Sequence, residues 1–137
     1  MLDIAKAKKH IDQLWGDEIV PTLFEYIKIP NKSPAFDPDW VAHGYMDEAV
    51  SLFERWARGK LASLPGATLE TIRLPGRTPV IVIEVPGEGP NPASGTDTVL
   101  LYGHLDKQPE MVGWAEGFGP WSPRRASRHW HRPVLSV

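Results

Sequence analysis

The sequence predicts an α/β protein, and three observations carry that prediction. Residues 3–64 repeat apolar positions at the threes and fours of amphipathic helices. Leu69–Leu74 and Thr78–Val85 are β-rich apolar runs joined by Pro75-Gly76-Arg77, a connection the size of a turn. A third run, Thr98–Tyr102, is continuously aliphatic and β-branched, then stops at Gly103. Helix, helix, strand, strand, strand in that order predicts a mixed sheet with helices packed on it, part of a three-layer domain.

Composition bounds what such a chain can do. At 137 residues, 42% hydrophobic and 23% charged, it has the size and balance of one soluble globular domain. The formal net charge of −2 gives no electrostatic reason to expect nucleic acid or an anionic membrane as partner. With no cysteine there is neither a disulfide framework nor a thiolate metal site, so any metal must be held by His, Asp or Glu. Lys6, Lys8 and Lys9 are followed by no apolar core, and no run approaches the roughly 18 apolar residues of a membrane span. The expectation is a cytoplasmic protein.

The first helical stretch, residues 3–28, places Ile4, Ala7, Ile11, Leu14, Trp15, Ile19, Leu23, Phe24 and Ile27 on one face, a stripe suited to packing on a sheet. Pro21 should break or kink it near Val20. Asn31–Asp39 is a proline-punctuated loop, with Asp37 as the expected N-cap and Pro38 as the first residue of a second helix. That helix is expected to run about 25 residues, with Val41, Tyr45, Ala49, Leu52, Phe53, Trp56 and Leu64 on its apolar face, and to close at Pro65-Gly66. His43 falls at its surface with no assigned chemistry. Asn31-Lys32-Ser33 matches a glycosylation acceptor, a match without meaning where no secretory signal precedes it. Thr78–Val85 is apolar enough to be interior to a sheet, and Pro86–Asp97 reads as a surface loop.

The chemistry gathers after the third run. His104 and Asp106 stand two residues apart, so an extended backbone puts both side chains on one face at the mouth of a buried strand. A carboxylate beside an imidazole orients it as a metal ligand, and the carboxyl edge of a buried strand is where open α/β sheets place ligands. The stretch beyond, with Trp114, Phe118 and Trp121 among glycines and prolines, is neither helix nor strand in pattern. It is either a substrate-side wall or a cover over the sheet end.

Tyr102-Gly103-His104-Leu105-Asp106, the following Gln108-Pro109, Trp114 leading to Phe118 and Pro120, and Ile29-Pro30-Asn31-Lys32-Ser33 after a first amphipathic helix together resemble the dizinc metallopeptidase family. That family includes carnosinase-like dipeptidases, succinyl-diaminopimelate desuccinylase, acetylornithine deacetylase, aminoacylase and glutamate carboxypeptidase, and the likeness is to its dipeptidase branch. It covers residues 1–123. The resemblance implies the N-terminal part of a zinc-peptidase catalytic domain, with His104 a zinc ligand and Asp106 the catalytic-site carboxylate that holds its imidazole. It also implies two zinc ions in the full-length family, a peptide or N-acyl amino acid as substrate, and a homodimer only where a dimerisation domain is present. In such a site the metals polarise the scissile carbonyl and acidify a water. The family's Gly-Arg-Gly-x-x-Asp segment, Glu-Glu pair, further carboxylate and distant histidine have no counterpart here. The chain alone is therefore expected to be inactive.

Residues 124–137 are a different kind of sequence. All 17 acidic residues lie at or before Glu116, whereas Arg124, Arg125, Arg128 and Arg132 crowd the tail with His129 and His131. GC-rich coding sequence read in a shifted frame gives such a composition, and the tail is expected to be out of frame and disordered. Two other readings stand beside this one. In the first, His129 and His131 ligate a metal. In the second, the chain is a non-catalytic metal-binding or interaction module that uses the tryptophan-rich loop and the basic tail.

Overall fold

The computed structural model describes residues 3–87 and 98–125. The chain divides into two compact units, one drawn from residues up to Lys28 and from Glu110 onward, the other spanning Ile29–Pro109. The predicted basic tail from residue 126 lies outside the described residues, and so does most of the predicted loop over 86–97.

In the first unit, helix α1 (Ile4–Leu14) starts at Asp3, whose carboxylate accepts the Lys6 backbone N–H at 3.0 Å. It runs into a π-helical turn, Trp15–Ile19, and then into α2, Val20–Lys28. Pro21 explains the wide turn. It has no N–H to donate, and its ring would strike the carbonyl four residues back. The helix widens just before it, and the Val20 N–H reaches the carbonyl of Trp15, five residues behind. The proline therefore bulges the helix and does not break it. No residue of these three segments is fully buried, and Ile4 and Ile11 are 77% and 59% exposed. The expected apolar stripe is half-covered at Leu14, Ile19, Leu23, Phe24 and Ile27. The Trp-rich stretch forms turns closed by Phe118 N–H to Ala115 O and Ser122 N–H to Gly119 O, in keeping with its non-helical, non-strand pattern.

The second unit holds the buried core. Short helix α3 (Trp40–His43) is separated from α4 (Tyr45–Leu61) by Gly44 at φ 71°, a left-handed conformation that ends one helix and starts the next. The single predicted helix is thus two, with Asp39, not Asp37, at its first cap. Met46, Ala49, Val50 and Ala57 recur at helical spacing and are buried, with Ile29 the other buried apolar residue among the described ones. Of the predicted apolar face only Ala49 is in this buried set, and Val41, Tyr45 and Leu64 are 68%, 37% and 43% exposed.

Strands β1 (Thr68–Ile72) and β2 (Val80–Glu84) pair antiparallel, Thr68 opposite Glu84 and Ile72 opposite Val80. The hairpin turns through Gly76 at φ 67°, and β1 packs on α4. Leu69, Thr71 and Ile81 are the half-buried positions, one face of the pleat. Helices with a small sheet make the protein a mixed α/β one.

Two strand expectations are corrected. β2 is not interior to a sheet. Among the described residues it has one partner, and Val80, Val82 and Ile83 remain 37–55% exposed. Thr98–Tyr102 is not a buried strand. No strand is formed there, and Val99, Leu100, Leu101 and Tyr102 are 85–89% exposed. Apolar patterning supplies the tendency, but a strand exists only through backbone partners, and among the described residues none lies alongside this run. Nor, among the described residues, is any helix long and apolar enough to cross a membrane.

Candidate functional site

The two predicted site residues meet as their spacing requires. His104 Nδ1 lies 2.8 Å from Asp106 Oδ1 and 3.1 Å from the Asp106 carbonyl oxygen. Both neighbours are acceptors, so Nδ1 carries a proton, and in the neutral ring the lone pair then stands on Nε2. Nε2 has no hydrogen-bond partner among the described residues, and the His104 side chain is 64% exposed. This is the arrangement in which a carboxylate presents an imidazole nitrogen to a metal or a proton.

What holds the pair is not a sheet. The segment Asn31–Ser33 lies alongside it in a parallel bridge at Lys32 and Lys107. The Lys107 N–H donates to Asn31 O at 3.0 Å, and the Ser33 N–H donates to Lys107 O at 2.9 Å. Prolines frame this contact. Pro30 keeps Ile29 out of helical conformation, and Pro34, which has no N–H, stops the pairing from running on.

Asn31 adds a side-chain clamp. It is 1% exposed, and its Nδ2 donates to the Leu105 carbonyl at 2.7 Å, the peptide between the two site residues. Its Oδ1 is buried with no partner among the described residues. Beside it the Lys107 ammonium donates to Ile29 O, and burial pulls the Lys107 pKa down to about 8.

A second imidazole–carboxylate pair stands in the same unit. Asp37, 7% exposed, has Oδ2 2.9 Å from His43 Nδ1, and the His43 ring lies 5.7 Å from that of Tyr45. The carboxylate expected to cap a helix is committed to this histidine. Sequence reading missed both this contact and the role of Asn31. Asp37 and His43 lie six residues apart in a loop-to-helix segment whose path no periodicity fixes, while Asn31 offered only a glycosylation match.

Trp114 and Trp121 belong to the other unit. There Trp114 Nε1 donates to Met111 O at 2.7 Å, and Trp114 is half exposed. His129 and His131 lie outside the described residues.

Zinc sites use three or four protein ligands. Among the described residues no group of three or more His, Asp or Glu side chains is placed to share an ion. His104 with Asp106 supplies one ligand and its orienting carboxylate, so a complete zinc site does not fit these residues, and no hydrolytic step follows from them alone. No protein-family model matches the chain, and no curated protein matches it.

Proposed function

We propose that this chain carries one corner of a metal-dependent peptide or amide hydrolase site, with His104 the ligand through Nε2 and Asp106 the carboxylate that orients it. The observation that supports this reading is the 2.8 Å contact from His104 Nδ1 to Asp106 Oδ1, which leaves an exposed imidazole with its Nε2 lone pair turned away from the carboxylate. The metal on this reading is zinc, and the substrate class is a peptide or an N-acyl amino acid. The full site belongs to a three-layer domain, and its bridging aspartate, general base and further ligands come from residues this chain does not carry. The chain alone turns over no substrate.

The test is to read the nucleotides around codons 120–137 in all three frames and join residues 1–123 to the product of a shifted frame. The proposal expects a Gly-Arg-Gly-x-x-Asp segment within about 20 codons of Pro123, supplying the carboxylate that a two-metal site needs. It also expects zinc-dependent dipeptide hydrolysis by the joined chain that disappears in His104→Ala. Absence of that segment from every frame, or hydrolysis indifferent to His104, contradicts it.

A further inference from the structure

We infer that Asn31 is the positioning residue that sets the His104–Asp106 pair, acting through the Leu105 peptide. The inference deepens the reading of this site as a metal corner and rests on it for its purpose, but not for its physics. Three observations converge. First, Asn31 is 1% exposed, and among the described residues its side chain makes one hydrogen bond, to Leu105 O at 2.7 Å. Second, its main-chain carbonyl takes the Lys107 N–H, so the backbone is gripped on both sides of Asp106 by one residue. Third, Asn31 Oδ1 is buried with no partner among the described residues. A buried carboxamide left half-satisfied is costly, and a leucine of the same size would fill the space without that penalty. The donor at Nδ2 is the feature an apolar residue cannot reproduce.

The geometric consequence follows from the spacing. The Nδ1 contact closes a short ring through His104, Leu105 and Asp106, so its length depends on the torsions of the Leu105 peptide. The run before it, Val99–Tyr102, is exposed and in no strand among the described residues, so no sheet pairing of that run fixes those torsions. Asn31 fixes them from the side. It thereby selects the Nδ1–H tautomer and leaves the Nε2 lone pair for a ligand.

The test reads the tautomer of metal-free His104 in the full chain by nitrogen NMR at one alkaline pH where the ring is neutral. The wild type is expected to show the Nδ1–H form. In Asn31→Leu the ratio of Nδ1–H to Nε2–H should fall roughly tenfold, the factor that loss of one net hydrogen bond allows. Asn31→Gln, which keeps a carboxamide donor, should recover part of it. An unchanged ratio in folded Asn31→Leu overturns the inference and makes Asn31 a filler of space. Should neither variant fold, the wild type still decides. Its Asn31 Nδ2 protons are expected to exchange slowly, and exchange as fast as an exposed carboxamide overturns the inference as well. Because the readout is metal-free, failure of the chain to bind zinc would count against the metal reading and leave this result standing.

Discussion

The Lys107 ammonium donates to the backbone carbonyl of Ile29, a buried residue at the start of the same unit. An ammonium drawn out of water by burial loses hydration that favours its charged form, and this is why its pKa falls to about 8. The sign of the pH effect follows. Below about pH 8 both folded and unfolded chains carry the charged lysine, and the folded state bears the desolvation cost in full. Between about 8 and the ordinary value of 10.5 the unfolded chain binds the extra proton, so stability rises with pH across that window. The group is partly solvated, which scales the effect down to the order of 1 kcal/mol. Urea midpoints at pH 7.5 and 10 should therefore move further for the wild type than for Lys107→Met. Equal shifts in the two proteins would remove the linkage.

The Asp37–His43 contact should be worth measuring as a pair. Asp37→Ala strips a buried carboxylate from its partner and should cost about 1–3 kcal/mol. His43→Ala should cost part of the same, and the double variant should fall short of the sum, since the contact can be lost only once. Strict additivity in denaturant unfolding would show that the 2.9 Å approach carries no coupling.

Gly44 is open to a side chain in space, with nothing near its added Cβ, but not in backbone angle. Gly44→Ala should therefore cost about 1–2 kcal/mol through its positive φ alone, and Gly44→Asn less. A neutral Gly44→Ala would mean that α3 and α4 can fuse into the single helix that the apolar pattern suggested.

That pattern shows which features a sequence makes legible. The helical period after residue 40 and the turn at Pro75-Gly76-Arg77 are local signals, and local geometry honoured them, although of the buried Met46, Ala49, Val50 and Ala57 only Ala49 stood on the expected apolar face. The contact of His104 with Asp106 is local too, two residues on one side of the chain. What could not be read depended on partners far along the chain. Thr98–Tyr102 has the composition of a buried strand, yet burial is conferred by neighbours, not by composition. Asn31 meets Leu105 across 74 residues, a distance over which no pattern speaks. Gly44 fits within the apolar period, so its φ was hidden by a signal that is blind to backbone angle.

The exposed run offers a direct check. Four large apolar side chains at 85–89% exposure form the kind of surface that binds hydrophobic dyes and other chains. Leu100→Lys with Leu101→Lys should lower dye binding and raise the concentration at which the protein aggregates, and it should leave the thermal transition of the β1–β2 hairpin unit in place. A clean monomer that binds no dye and melts in one sharp transition would contradict the exposure.

The site itself is tested by calorimetric titration with zinc of the wild type, His104→Ala, His43→Ala and His131→Ala. One imidazole with one orienting carboxylate falls short of a full ligand set, so binding should be weak, and metal should release a proton only where it displaces one. The account predicts that this weak binding is lost in His104→Ala and persists in the other two variants. Tight, stoichiometric binding that survives His104→Ala and vanishes in His131→Ala would contradict it.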